Sequence, residues 1–147
     1  SRQTFYRNFL DKYDLINWYF DRLVMESFEQ IGLKTTIQEC LIKKFYFIKK
    51  ESVFFCAAFR GDDYNSLKEH DFRMILSFYE TLIKERNPKV LTQEIQTLLE
   101  MYCQASVYMT VKWILGGLTM EPEQLAKVLV DAIPPKLYEV LNSISLL

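Results

Sequence analysis

The run from Ile95 to Leu115, I-Q-T-L-L-E-M-Y-C-Q-A-S-V-Y-M-T-V-K-W-I-L, constrains this chain more than any other stretch. It contains no proline or glycine, is apolar on nearly all sides, and is closed by Gly116-Gly117. A run of this length reads as a helix. At roughly 20 residues it approaches what is needed to cross a bilayer core. Glu100, Gln104 and Lys112 argue against a membrane, because charge at that depth is costly and no partner for it is evident. A helix apolar on nearly all sides in water must be covered by two surfaces. One is the domain's own core, and the other is most simply a second copy of the chain.

The rest of the sequence is helical punctuation. No Asn-Gly or Asp-Gly hairpin turn occurs, and the few glycines and prolines fall between helical patterns, so the expected fold class is all-α. A long helix is expected from Lys12 to about Ile31, with Gly32 as its stop. Thr35 or Thr36 opens the next, whose stripe is Ile37, Leu41, Phe45 and Ile48. The lysines on its back, Lys43, Lys44, Lys49 and Lys50, read as a solvated helix end whose cations suit the C-terminal dipole. Ser52–Phe59 is short and apolar, and its context makes it helix. Ser66 to Glu69 is a capping box for a helix running to about Arg86, with Phe72, Ile75, Leu76, Tyr79, Leu82 and Ile83 inward and Asn87-Pro88 as its stop. Thr92 caps the apolar helix. Pro122 sits at the first position of a later helix, lined by Leu125, Val128, Leu129 and Ala132. The tail from Lys136 to Leu147 has room for one or two more turns.

At 147 residues, half of them apolar, the chain is long enough for one domain with a sizeable core. Residues 1–12 carry Arg2, Arg7 and Lys12 against Asp11, a surplus of two positive charges, so the remainder carries −3 of the net −1. A basic tip on a mildly acidic body suits a protein that meets phosphate with one end. Cys40, Cys56 and Cys103 are odd in number, widely spaced and without a CxxC, which reads as reduced thiols in a cytoplasmic protein. His70, flanked by Glu69 and Asp71, is the one histidine. It lacks the partners for a zinc site or a nucleophilic pair, so neither an enzyme, a metal nor a cofactor is expected. The Arg60-Gly-Asp tripeptide is chance.

The first fifteen residues add a specific signal. Ser1–Phe9 reads as a short helix with Phe5 and Phe9 on one face. Leu10 breaks it, and Asp11 caps the next helix with Asp14 three residues on. The segment T-F-Y-R-N-F-L-D-K-Y-D-L, Thr4 to Leu15, resembles the signature that closes the DNA-binding domain of tetracycline-repressor (TetR) family regulators, with only Asn8 departing from the usual pattern. K-W-I-L-G-G-L-T-M-E-P-E-Q-L-A-K-V-L, Lys112 to Leu129, is similar to the C-terminal part of one subgroup, the dihydroxyacetone-kinase regulators of Firmicutes.

The resemblance implies a TetR-like, all-α architecture. Residues 1–11 would be the recognition-helix remnant of a helix-turn-helix domain that the chain enters at its third helix, and residues 12–147 the linker helix with the effector-binding and dimerisation domain. It implies operator DNA as partner, with Arg2 and Gln3 at base edges and Thr4, Tyr6 and Lys12 on phosphates. It implies a small-molecule or protein effector among the middle helices, for which Phe72, Tyr79, Tyr102 and Met109 are candidates. It also implies a homodimer, with Trp113, Leu125 and Leu129 expected in the interface. The competing class is a helical adaptor that binds a partner's helix, which leaves residues 1–15 unexplained.

Overall fold

The computed structural model describes Asp14, Trp18, Asp21, Arg22, residues 35–60 and residues 67–147. The expected helices at Ser1–Phe9 and Lys12–Ile31, the loop beyond Arg60 and the Ser66 cap lie largely or wholly outside the described residues. Six α-helices follow Thr35: α1 (Ile37–Lys50), α2 (Ser52–Phe59), α3 (Leu67–Arg86), α4 (Gln93–Lys112), α5 (Pro122–Asp131) and α6 (Pro135–Ser143). No strand occurs among the described residues, so the fold is all-α.

Three of the helices begin where the sequence supplies a cap. Thr36 and Glu39 form a reciprocal capping box at α1, and the Thr92 hydroxyl accepts from the Ile95 amide at α4. Glu121 and Gln124 do the same at α5, with Pro122 at the first position. A single 3-10 turn, Pro88–Val90, connects α3 to α4. These two pack as an antiparallel hairpin, with Gln96 near the start of one donating to Glu80 near the end of the other at 3.0 Å.

The expected apolar helix at Ile95–Leu115 exists but ends in two modes. After Lys112 the chain widens into a π turn over Trp113–Gly117 and stops at Gly116, whose φ of 91° suits a residue without a Cβ. The Ile114 carbonyl accepts from the Cys56 thiol at 3.2 Å, and the Trp113 indole donates to Met120 O at 2.7 Å. The turn therefore swings the chain back so that α5 can lie along α1. There Lys49 pairs with Glu121 at 3.1 Å and the Tyr46 hydroxyl donates to Glu123.

The core divides in two. One half gathers Phe45, Ile48, Phe54, Phe55, Phe59, Leu67, Trp113, Leu125 and Leu129. The other gathers Ile37, Tyr79, Leu82, Ile83, Leu99, Tyr102, Cys103, Leu137 and Leu141, with the tail residues Ile144 and Leu146. The tail does more than add a turn. Leu146 O accepts from the Ile37 amide at 3.0 Å, so the chain's end caps the start of α1, and Arg86 donates to Ile144 O at 2.5 Å.

Two expectations about facing are corrected. Lys44 is not a solvated cation: it is buried and bonded to Asp71, because it shares the inward phase of Ile37, Leu41 and Ile48. Val128 is exposed and so is Ala132, because the buried face of α5 is centred on Leu125, Ala126 and Leu129.

Candidate functional site

Chemistry in a helical domain must come from polar groups that the helices turn inward, and four such groups share one neighbourhood here. Lys44 of α1 and Asp71 of α3 form a buried ion pair, Nζ to Oδ1 at 2.8 Å, with 8% and 1% of each residue exposed. The second carboxylate oxygen of Asp71 is buried and accepts no hydrogen bond. Cys103 of α4 lies within the field of both: burial pushes its thiol up to about 12, the Lys44 charge pulls it down and the Asp71 charge pushes it further up. Tyr79 of α3 is pushed well above its ordinary value by burial first, then by Tyr102, Cys103 and Cys40.

Local sequence explains why α4 can present polar groups inward without penalty. Ser106 donates to Tyr102 O and Thr110 to Ser106 O, each at 2.8 Å, so both hydroxyls satisfy themselves on the preceding turn. The Tyr102 hydroxyl donates to Leu129 O at 2.5 Å, tying α4 to the end of α5. Burial raises the Tyr102 phenol, and a hydrogen bond with Ser106 acts in the opposite direction.

Of the four effector candidates, the structure brings three together. Tyr79 and Tyr102 belong to one core half and Phe72 packs against it, half-buried. Met109 packs against the other half. The interface candidates Trp113, Leu125 and Leu129 are 7%, 1% and 4% exposed and enclosed by their own chain. Within the single chain all three pack in the core half that holds Phe55. α4 presents Met101 and Tyr108, seven apart and 64% and 68% exposed, and the π turn after it leaves Leu115 36% exposed. The DNA-contact candidates Arg2, Gln3, Thr4, Tyr6 and Lys12 lie outside the described residues.

Lys44 and Asp71 were missed as site residues, although the signal was present. Asp71 falls in the phase of Leu67, Ile75 and Tyr79, and Lys44 in that of Leu41 and Ile48. A charge of each sign in the inward phase of two neighbouring helices is the pattern of a buried pair. His70, next to Asp71 on α3, bonds Asp21 at 2.8 Å. Among the described residues no group of three or more potential ligands could hold a metal ion, and no helix is long and apolar enough to cross a membrane.

Residues 35–134 match the family described as the C-terminal region of TetR-type transcriptional regulators (TetR_C_8), and the chain belongs to that family. No curated protein and no solved structure matches it.

Proposed function

We propose that this chain is the sensing and dimerising part of a DNA-binding transcriptional regulator. An effector held among α1, α3 and α4 would change the protein's grip on an operator. The family match over residues 35–134 carries the regulator reading, and the TetR-like segment Thr4–Leu15 supports DNA as its target. In this reading Arg2 and Gln3 read base edges, Thr4, Tyr6 and Lys12 hold phosphates, and the protein works in the cytoplasm. The Lys112–Leu129 arrangement supports a place near the dihydroxyacetone-kinase regulators. The site between the middle helices is formed by Lys44, Asp71, Phe72, Tyr79, Tyr102 and Cys103.

The exposed α4 residues Met101 and Tyr108, with Leu115 in the π turn beyond them, support a second copy as the covering surface, since a spacing of seven is that of the seam between two helices packed side by side. Two recognition helices must reach major-groove half-sites about 34–36 Å apart, which a two-fold dimer provides. In vitro selection with the full natural protein tests the whole reading. A two-fold palindrome should be enriched, Arg2→Ala or Gln3→Ala should change its sequence, and Lys12→Ala should weaken every site and flatten the salt dependence. Failure to enrich any sequence would overturn it, and a monomer mass by sedimentation equilibrium would remove the dimer.

A further inference from the structure

The buried Asp71 carboxylate makes half of the interactions its chemistry allows. Oδ1 is held by Lys44 at 2.8 Å, while Oδ2 is buried and accepts nothing. Buried carboxylate oxygens in folded proteins are nearly always hydrogen-bonded, because water has been given up and must be replaced. The inward hydroxyls of α4 are committed elsewhere: Ser106 to Tyr102 O, Thr110 to Ser106 O and Tyr102 to Leu129 O. Asp71 already has its counter-ion, so what it lacks is a hydrogen-bond donor rather than a positive charge.

We propose that the effector is a small neutral molecule with an apolar body and a hydroxyl or N–H donor, and that this donor is received by Asp71 Oδ2 beside the Lys44–Asp71 pair. This rests on the effector-site reading above and specifies its chemistry. A second cation brought to Asp71 would lie beside the Lys44 ammonium, and an anion would lie beside the Asp71 carboxylate. Either would lose its hydration without gaining an unshared partner. A neutral donor gains a charge-assisted hydrogen bond and brings no charge to bury. The apolar remainder suits the wall that α3 provides through Ile75 and Tyr79, one and two turns from Asp71 on the same inward side.

The test uses three probes of one shape and different charge: benzyl alcohol, benzylammonium and benzoate. Each is titrated at neutral pH into the isotopically labelled chain and followed by backbone-amide shifts. Benzyl alcohol should move the amides of residues 71–79 and 102–107 and bind about tenfold tighter than either charged probe, the scale of one hydrogen bond to a charged group. The pair-neutral variant Lys44→Met/Asp71→Leu, which removes the acceptor, should weaken benzyl alcohol about tenfold. Asp71→Asn, which keeps the shape but places an amide there, should weaken benzyl alcohol and serves if the double variant fails to fold. If benzyl alcohol binds there with unchanged affinity in these variants, or if a charged probe binds as well, the donor inference falls while the site stands. If none of the three moves those amides, the site and the inference fall together.

Discussion

The core half around Phe55 and the half around Tyr79 are built from different materials. In the first, rings meet rings: Phe45 and Trp113 lie 5.5 Å apart between centroids, Phe54 and Phe55 5.7 Å, and Phe55 and Phe59 5.7 Å. Such pairs add to burial through edge and offset stacking. In the second, one edge-on ring pair, Phe78 and Tyr79 at 5.3 Å, sits in mostly aliphatic packing around two phenols and a thiol whose ionisation burial opposes, and the Lys44–Asp71 pair lies where α3 passes from one half to the other. Buried ionic pairs contribute little to stability and lower it sharply when broken. The Phe55 half therefore gives the domain rigidity, and the Tyr79 half gives it chemistry. A buried polar pair holds its geometry only when the surrounding packing does.

The sharpest break of this contrast is Phe55→Ala. Phe55 is fully buried, stacks on Phe59 and meets Phe47 and Phe54 edge-on, so its truncation should cost about 3–5 kcal/mol, toward the upper end, in urea unfolding. A loss under about 1 kcal/mol would mean that the aromatic half is not the rigid one.

Asp71→Ala should follow, at about 3 kcal/mol, because it removes the carboxylate that balances the buried Lys44 ammonium. Lys44→Met/Asp71→Leu should return to within about 1 kcal/mol of the parent by the same measurement. If the double variant remains as unstable as the single one, the pair is structural rather than retained for function.

Alkaline unfolding sharpens the comparison further. Cys103 titrates near 9 when unfolded and near 12 when folded, so the folded state holds its proton longer. Its contribution is fully present below about pH 9 and is lost as pH rises through the window to about 12, at up to about 1.4 kcal/mol per pH unit. Cys103→Val should flatten the fall in melting temperature over that window, whereas a variant in the Phe55 half should shift the curve without changing its slope.

Tyr102→Phe is the mildest change. It removes one hydrogen bond, to Leu129 O, and should cost about 1 kcal/mol with the fold intact by circular dichroism.

Much of the fold was legible because it is written locally. Thr36 with Glu39, Thr92, Pro122 and Gly116 each act within a turn of their own position, and the helices begin and end where those residues stand. The excess apolar surface of Ile95–Leu115 was equally legible, and Met101, Tyr108 and Leu115 remain uncovered by the chain itself. Which apolar side meets the core was not legible. Trp113, Leu125 and Leu129 turned inward only because the π turn after Lys112 folds α5 onto α1, a choice made by contacts far apart in sequence. The same holds for the site. Phe72, Tyr79 and Tyr102 could be named from periodicity, but the meeting of Lys44 with Asp71 needed two helices, 27 positions apart in sequence, placed side by side. Periodicity determines which residues share a face. Only the packed helices decide what that face meets, because the partner's charge and volume are not encoded in the helix that meets them.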